Sequence, residues 1–365
     1  MRTLDNLLEP LYPGYFAVVM ATEIVSVAFL LAHHTRLSGI FWGLGAAFYV
    51  ILWALYLART VRFPRRVQQD LRNPRLTFGY FTLVAASCVL GTRFLLGHLF
   101  GTALALGLVG AALWLVLMYF ILTVLVVGTP VPTLRSVNGA WLIAIVGVES
   151  IAALAAAGIT RLPTDAALLS LLAFACWSIG ILLYVLFITL ILARLIFEPV
   201  RSQDMQPPYW INMGATAISA LAGARLLLVP HADPFLVAVK PFVEGFTVML
   251  WAWGTWWIPF LLIIGVWKYL ASREPIRYHP SLWSVVFPLG MYSAATQTFS
   301  SLPGFSALHS LGIAFLWIAL IAWSAVALGY VVAWIQRTRS ATRSGKDVRP
   351  FPRPPKPATG SPSSM

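Results

Sequence analysis

The chain has 365 residues, 59% of them hydrophobic and 10% charged, with a formal net charge of +13. A soluble domain carries about 25% charged residues, so this composition excludes a water-soluble globule and makes lipid the solvent. Nucleic-acid binding would need a folded basic face, and none is evident.

In chain order, residues 1–13 hold Asp5 and Glu9 ahead of the first apolar run. The basic stretch is only Met1-Arg2 and no A-x-A site follows, so a retained first helix is expected, not a cleaved signal. A membrane span needs about 20 mainly apolar residues. Candidate spans are 14–32, 39–57, 77–94, 100–126, 139–157, 166–194, 209–229, 243–267, 281–299 and 307–334. The expected class is therefore all-α integral membrane, with one ten-helix domain over 14–334. The basic, Pro-rich stretch 335–365 reads as a disordered tail. Cys88 and Cys176 lie inside apolar runs and read as small core residues.

Basic residues fall mostly on one set of connections. The loop 58–76 carries Arg59, Arg62, Arg65, Arg66, Arg72 and Arg75, while the opposite loops are expected to hold only Arg36, Arg93, Arg161 and Lys240. The positive-inside rule then places both termini in the cytoplasm, in a plasma-membrane, multi-pass protein. The net charge is mostly this topology signal.

A short pattern returns five times, anchored on Phe16, Phe81, Trp141, Trp210 and Trp283, 60–73 residues apart. Each anchor opens an apolar stretch sown with Ala, Gly, Ser and Thr. A unit of two helices copied five times fits this period. The odd helices carry the small and polar residues and the even ones are more uniformly greasy. Small residues permit close approach, and polar ones need protein or water beside them. The expected arrangement is five hairpins in quasi-five-fold order, with an inner ring of odd helices around a pore. Ordinary helix packing is the alternative reading of the same small residues.

Four residues after the anchors come Met20, Ala85, Ile145, Gly214 and Phe287. Phe287 is the only aromatic at that level. Pro288 removes an amide donor and Gly290 adds freedom, so Phe287, Pro288 and Gly290 form a candidate gate. Thr22, Ser87, Gly147, Asn212 and Thr216 are candidate pore-lining positions. Glu23 and Glu149 lie about 14 and 15 Å into their helices, where a charge is costly and a functional role is the default hypothesis. One or both are expected to be neutral acids. Arg225, about 24 Å along its helix, could attract anions or snorkel outward. No catalytic motif, metal-ligand spacing or cofactor fingerprint is present, and no metal or cofactor is expected.

The stretches PGYFAVVMATEIVSVA, FGYFTLVAASCVLG, NGAWLIAIVGVESIA, PPYWINMGATAISALAG, WAWGTWWIPFLLIIGVWKY and YHPSLWSVVFPLGMY cover residues 13 to about 300. In them the chain resembles the tellurite-resistance/C4-dicarboxylate transporter family, with its slow anion channels and malate transporters. The resemblance implies ten helices in five hairpins, a pore within each subunit of a homotrimer, and an occluding phenylalanine that maps onto Phe287. Relatives often have MATGIVS where this chain has Glu23, and Gln before the Ser where it has Glu149. Both departures add carboxyl groups to the expected pore. They favour a proton-linked mode over an open chloride-type channel.

The expected function is thus transport of small anions, C4-dicarboxylates or inorganic oxyanions, through a pore gated by Phe287. Tellurite or sulfite efflux shares the architecture. A receptor or assembly protein that conducts nothing is the rival, and would gain if Glu23 and Glu149 faced neighbouring helices with no axial passage.

Overall fold

Each predicted span is a helix in the computed structural model, which describes residues 2–128, 132–230 and 234–344. A short α1 (Arg2–Leu8) precedes α2 (Ala17–Leu31) and α3 (Thr35–Arg62). Pro64 at a first-turn position opens α4 (Pro64–Leu71), where its missing N–H costs nothing. Then follow α5 (Phe81–Leu96), α6 (Phe100–Val127), α7 (Ile143–Ile159), α8 (Ala166–Phe197), α9 (Ile211–Leu227), α10 (Pro234–Val266), α11 (Trp283–Phe299) and α12 (His309–Ser344). No strand occurs among the described residues. Helix α12 runs past residue 334, into the stretch expected as tail; residues 345–365 lie outside the described residues.

The helices form two classes. Helices α2, α5, α7, α9 and α11 are 15 to 17 residues long and buried on nearly every side. They pack in a cycle, α2 on α5, α5 on α7, α7 on α9, α9 on α11 and α11 on α2. Helices α3, α6, α8, α10 and α12 are longer, and each packs along the inner helix that precedes it. Their outward faces expose apolar side chains such as Val50, Val116, Leu182, Ile263 and Ile321. That pattern suits contact with lipid.

Among the described residues, seven helical segments are long and apolar enough to cross a membrane: Thr35–Arg62, Thr77–Leu96, Phe100–Val127, Gly139–Ile159, Ala166–Phe197, Pro234–Ala271 and Ser306–Gln336. The sequence reading expected ten. The other three are inner helices. At 15 residues α2 is short, while α9 and α11 carry Asn212, Thr216, Arg225, Thr296 and Gln297. Inside the ring these helices meet protein, not lipid, so neither length nor greasiness is demanded of them.

The outer helices also bridge forward, to the inner helix of the next unit. The Tyr49 hydroxyl meets Ser87 Oγ at 2.8 Å. Trp114 and Trp177 donate their indole N–H to the carbonyls of Ala144 and Ser219, both at 2.9 Å. Trp251 donates to Thr296 Oγ1 and Trp323 to Thr22 Oγ1, both at 3.0 Å. An aromatic side chain from each outer helix thus ties one unit to the next, and the last bond closes the circle. Such bonds in a membrane are worth roughly 0.6 kcal/mol each.

Candidate functional site

A tight turn precedes each inner helix, and these turns meet at one end of the ring. Turns Thr77–Tyr80, Gly139–Leu142, Pro207–Trp210 and Pro280–Leu282 touch in succession. A Cβ built on Gly79 would approach the Gly14 backbone at 3.1 Å, and one on Gly139 the Pro208 carbonyl at 2.5 Å. Only glycine allows the second of these approaches.

Over the convergence lies a vestibule of about 640 Å³, reached by Tyr12 and Leu76 from just before α2 and the turn Thr77–Tyr80, and by Ala140, Pro208 and Ser281 from the other three turns. Its charged lining is Arg75, Arg135, Arg194, Arg201, Lys268 and Arg277 against Asp204 and Glu274. Arg194 and Arg201 share Asp204 at 3.5 and 3.9 Å, and Arg135 pairs with Glu198 at 2.6 Å. The lining is net positive. Burial holds the His279 imidazole down at about 4, so it is neutral at pH 7 and accepts from Ser281 N at 3.2 Å.

Farther along the ring, all five inner helices face one small cavity of about 10 Å³, room for roughly one water. Its lining includes Ile24, Val89, Ser150, Ile218 and Met291, with Thr92 and Arg225 as the other polar members. Arg225 Nη1 donates to the Ala153 carbonyl at 2.8 Å. Residues four earlier lie on the same helix face. That puts Met20, Ala85, Gly214 and Phe287 on the axial stripe, one turn nearer the vestibule. In α7 the same step from Ser150 arrives at Val146, one residue beyond Ile145. Taking Trp141 as anchor therefore set this helix one residue out of register with the others.

Phe287 is fully buried. Its neighbour Pro288 rests on α9, where a Cβ on Gly214 would meet the proline ring at 2.9 Å. On the other side Gly290 lies against Ile24 of α2, 2.9 Å from a built Cβ. Glycines thus let α11 approach both of its neighbours closely beside Phe287.

The polar candidates are brought together differently from the sequence reading. Thr22 is bonded to Trp323, Ser87 to Tyr49, and Asn212 Oδ1 accepts from the Tyr184 hydroxyl at 2.6 Å. Gly147 lies against Trp114, 3.0 Å from a built Cβ. These four side chains or backbones face the outer helices.

Glu23 and Glu149 share that direction. Glu23 is seated on Gly45 of α3 and Glu149 on Gly180 of α8. Other outer-helix glycines also carry a side chain of an inner helix: Gly110 carries Cys88, Gly254 carries Thr216 and, two turns farther along its helix, Gly312 carries Gln297. A Cβ at any of these glycines would overlap the side chain placed there. Both carboxyl groups are fully buried and neither has a hydrogen-bond partner within bonding distance. Burial of an unpartnered carboxylate is costly enough to require the neutral acid.

Sequence reasoning missed Arg93. It was assigned to an outer loop, yet it lies in the last turn of α5 and is 7% exposed. Its Nε donates to Ser26 Oγ at 3.1 Å, and its guanidinium lies 4.8 Å from the Trp42 ring centre. Ser26 in turn exchanges bonds of 2.8 Å with Ser38. The spacing from the Phe81 anchor, which keeps Arg93 within one helix length, was the available signal.

Residues 11–331 match the family described as voltage-dependent anion channel (SLAC1). An uncharacterized transporter of Methanocaldococcus jannaschii is 27% identical over 333 residues, 87% of this chain and 92% of its own length. A second from that organism is 25% identical, over 85% and 91%. An uncharacterized membrane protein of Mycobacterium tuberculosis is 42% identical over 142 residues, 39% of this chain and 72% of its own.

Proposed function

The chain belongs to the SLAC1 family of voltage-dependent anion channels, and we propose that it carries small anions along the axis of its five-helix ring. Ten helices then span the bilayer as five hairpins, with both termini on the cytoplasmic side, in the plasma membrane. The subunit has its own pathway, and a homotrimer is the expected assembly. The observation that carries this reading is an apolar axis with cationic groups at both ends. The vestibule supplies Arg75, Arg194, Arg201 and Arg277 at one end, and Arg225 lines the cavity towards the other. Cations at a mouth concentrate anions, and a weakly polar axis lets them leave. Phe287, with Pro288 and Gly290, is the gate. C4-dicarboxylates and inorganic oxyanions, tellurite and sulfite among them, are the substrate classes. Purified protein in liposomes, offered a panel of such anions, tests the reading; no flux for any of them would end it.

Proton linkage is a second element of the reading. It is supported by two neutral, unpartnered carboxylic acids at the same position of equivalent hairpins. Their seats lie between inner and outer helices, so a proton there would act on hairpin packing and not on the anion directly. A membrane receptor or assembly protein that conducts nothing draws support from the same off-axis carboxyls and the narrow axis. The liposome panel separates the two.

A further inference from the structure

The outer ring has one opening. Elsewhere an outer helix packs along the next inner helix, as α3 does on α5, α6 on α7, α8 on α9 and α12 on α2. Helix α10 meets α11 through side chains that precede Pro259, where Trp251 and Thr255 bond Thr296 and Tyr292. Beyond Pro259, which removes an amide donor, α10 runs on into a π-helical turn at Trp267–Ala271. That stretch bounds a groove of about 470 Å³ between α10 and α12, with Val285 of α11 among its walls. Most of its wall is apolar, as at Leu261, Ala322 and Ala325, and its polar members gather at one end.

The groove is continuous with the basic vestibule. Gln206, Tyr209, Lys268 and Tyr269 line both. Lys268 Nζ donates to the Met205 carbonyl at 2.6 Å, which leaves two of its three protons for another acceptor. Arg201 and Arg277 lie on the vestibule side with Lys268, against Glu274, whose Oε1 accepts from Ser202 Oγ at 2.9 Å. A ligand here must be apolar along most of its length and anionic at one end. A helix about 10 Å wide fills roughly 400 Å³ per turn, so the groove would admit little more than one turn of a second copy.

We infer that the groove between α10 and α12 is a binding site for an anionic phospholipid, with an acyl chain along Leu261 and Ala325 and its phosphate at Lys268. The site borders α11, two residues from Phe287, so an occupant would touch the helix that carries the gate. This inference needs only a membrane-spanning chain and is independent of what the axis conducts.

Native mass spectrometry of the full chain tests it, with the protein taken from micelles containing equal phosphatidylglycerol and phosphatidylcholine. Phosphatidylglycerol should be retained in preference. Lys268→Gln should cut that preference about five-fold, the effect of one basic side chain near an anionic headgroup. Ala325→Trp, which fills the groove without altering charge, should lose both lipids. Equal retention of the two lipids by the wild type would overturn the site. So would unchanged retention in Lys268→Gln, which stands alone as the test should Ala325→Trp fail to fold. Because lipid retention is the readout, its failure and a failure of anion flux are told apart.

Discussion

The indole of Trp323 donates to the hydroxyl of Thr22 at 3.0 Å, across 301 residues of sequence. It joins the last outer helix to the first inner one and so closes the ring. Thr22 passes its own proton to the Val18 carbonyl at 2.7 Å, which leaves its oxygen free to accept. Trp323→Phe removes the bond and keeps the ring packing. It should cost roughly 0.6 kcal/mol, and at most about 1.7. A double-mutant cycle with Thr22→Val, read from unfolding in mixed micelles, should show coupling of that size; additive effects would mean the bond contributes nothing.

The glycine seats make a sharper prediction. Gly45→Ala places a methyl group where the Glu23 carboxyl lies, and overpacking of this kind costs about 1–3 kcal/mol. The same holds for Gly180→Ala against Glu149. Shortening the partner should relieve the clash, so Glu23→Ala combined with Gly45→Ala should be more stable than Gly45→Ala alone. Thermal melts of the four proteins decide it, and a double variant no better than the single one would remove the seat from the account.

Those seats show how much was legible in the sequence. The apolar runs and the five anchors marked out the helices and their burial, because apolar periodicity and small residues are direct signals of burial. Direction around each helix was less legible. Thr22, Ser87 and Asn212 are polar, and polar residues in a span suggest a wet pore. Here aromatic donors on the outer helices bond to the oxygens of all three instead, and those partners lie tens to hundreds of residues away. In α7 the axial position is Val146, not Ile145, because the turn Gly139–Leu142, and not the aromatic Trp141, sets where that helix starts. The glycines at 45 and 180 were visible but looked like ordinary small residues until the carboxyls were seen resting on them.

Proton linkage predicts a distinct pH response. If Glu23 and Glu149 bind the protons that matter, Glu23→Gln and Glu149→Gln should flatten the dependence of anion flux on pH between 5 and 8. Glutamine mimics the neutral acid in shape and charge, so flux should stay near the wild-type level at the acidic end. A pH dependence that survives in the double variant would dismiss the linkage.

His279 gives an independent test of the vestibule. Its imidazole is lowered from 6.5 to about 4 by burial, so between those values the unfolded chain binds the proton and the folded chain does not. Stability should therefore rise with pH from about 4 to 6.5, and fall by an amount on the order of 3 kcal/mol as the pH drops through that window. His279→Asn keeps a good N-cap acceptor for Ser281 N and removes the titration. Its melting temperature should change less than the wild type's across that range, and an identical slope would exclude His279 as the source.

The most direct test is the axis itself. Phe287→Ala removes the one aromatic side chain at the level of Met20, Ala85, Val146 and Gly214, one turn from the small cavity. Truncating so buried a ring can cost about 3–5 kcal/mol, so flux should be normalised to folded protein by size-exclusion chromatography before reconstitution. In liposomes loaded with a permeant anion, the variant should conduct faster than the wild type. An unchanged or slower flux from correctly folded Phe287→Ala would contradict an anion pathway sealed at that residue.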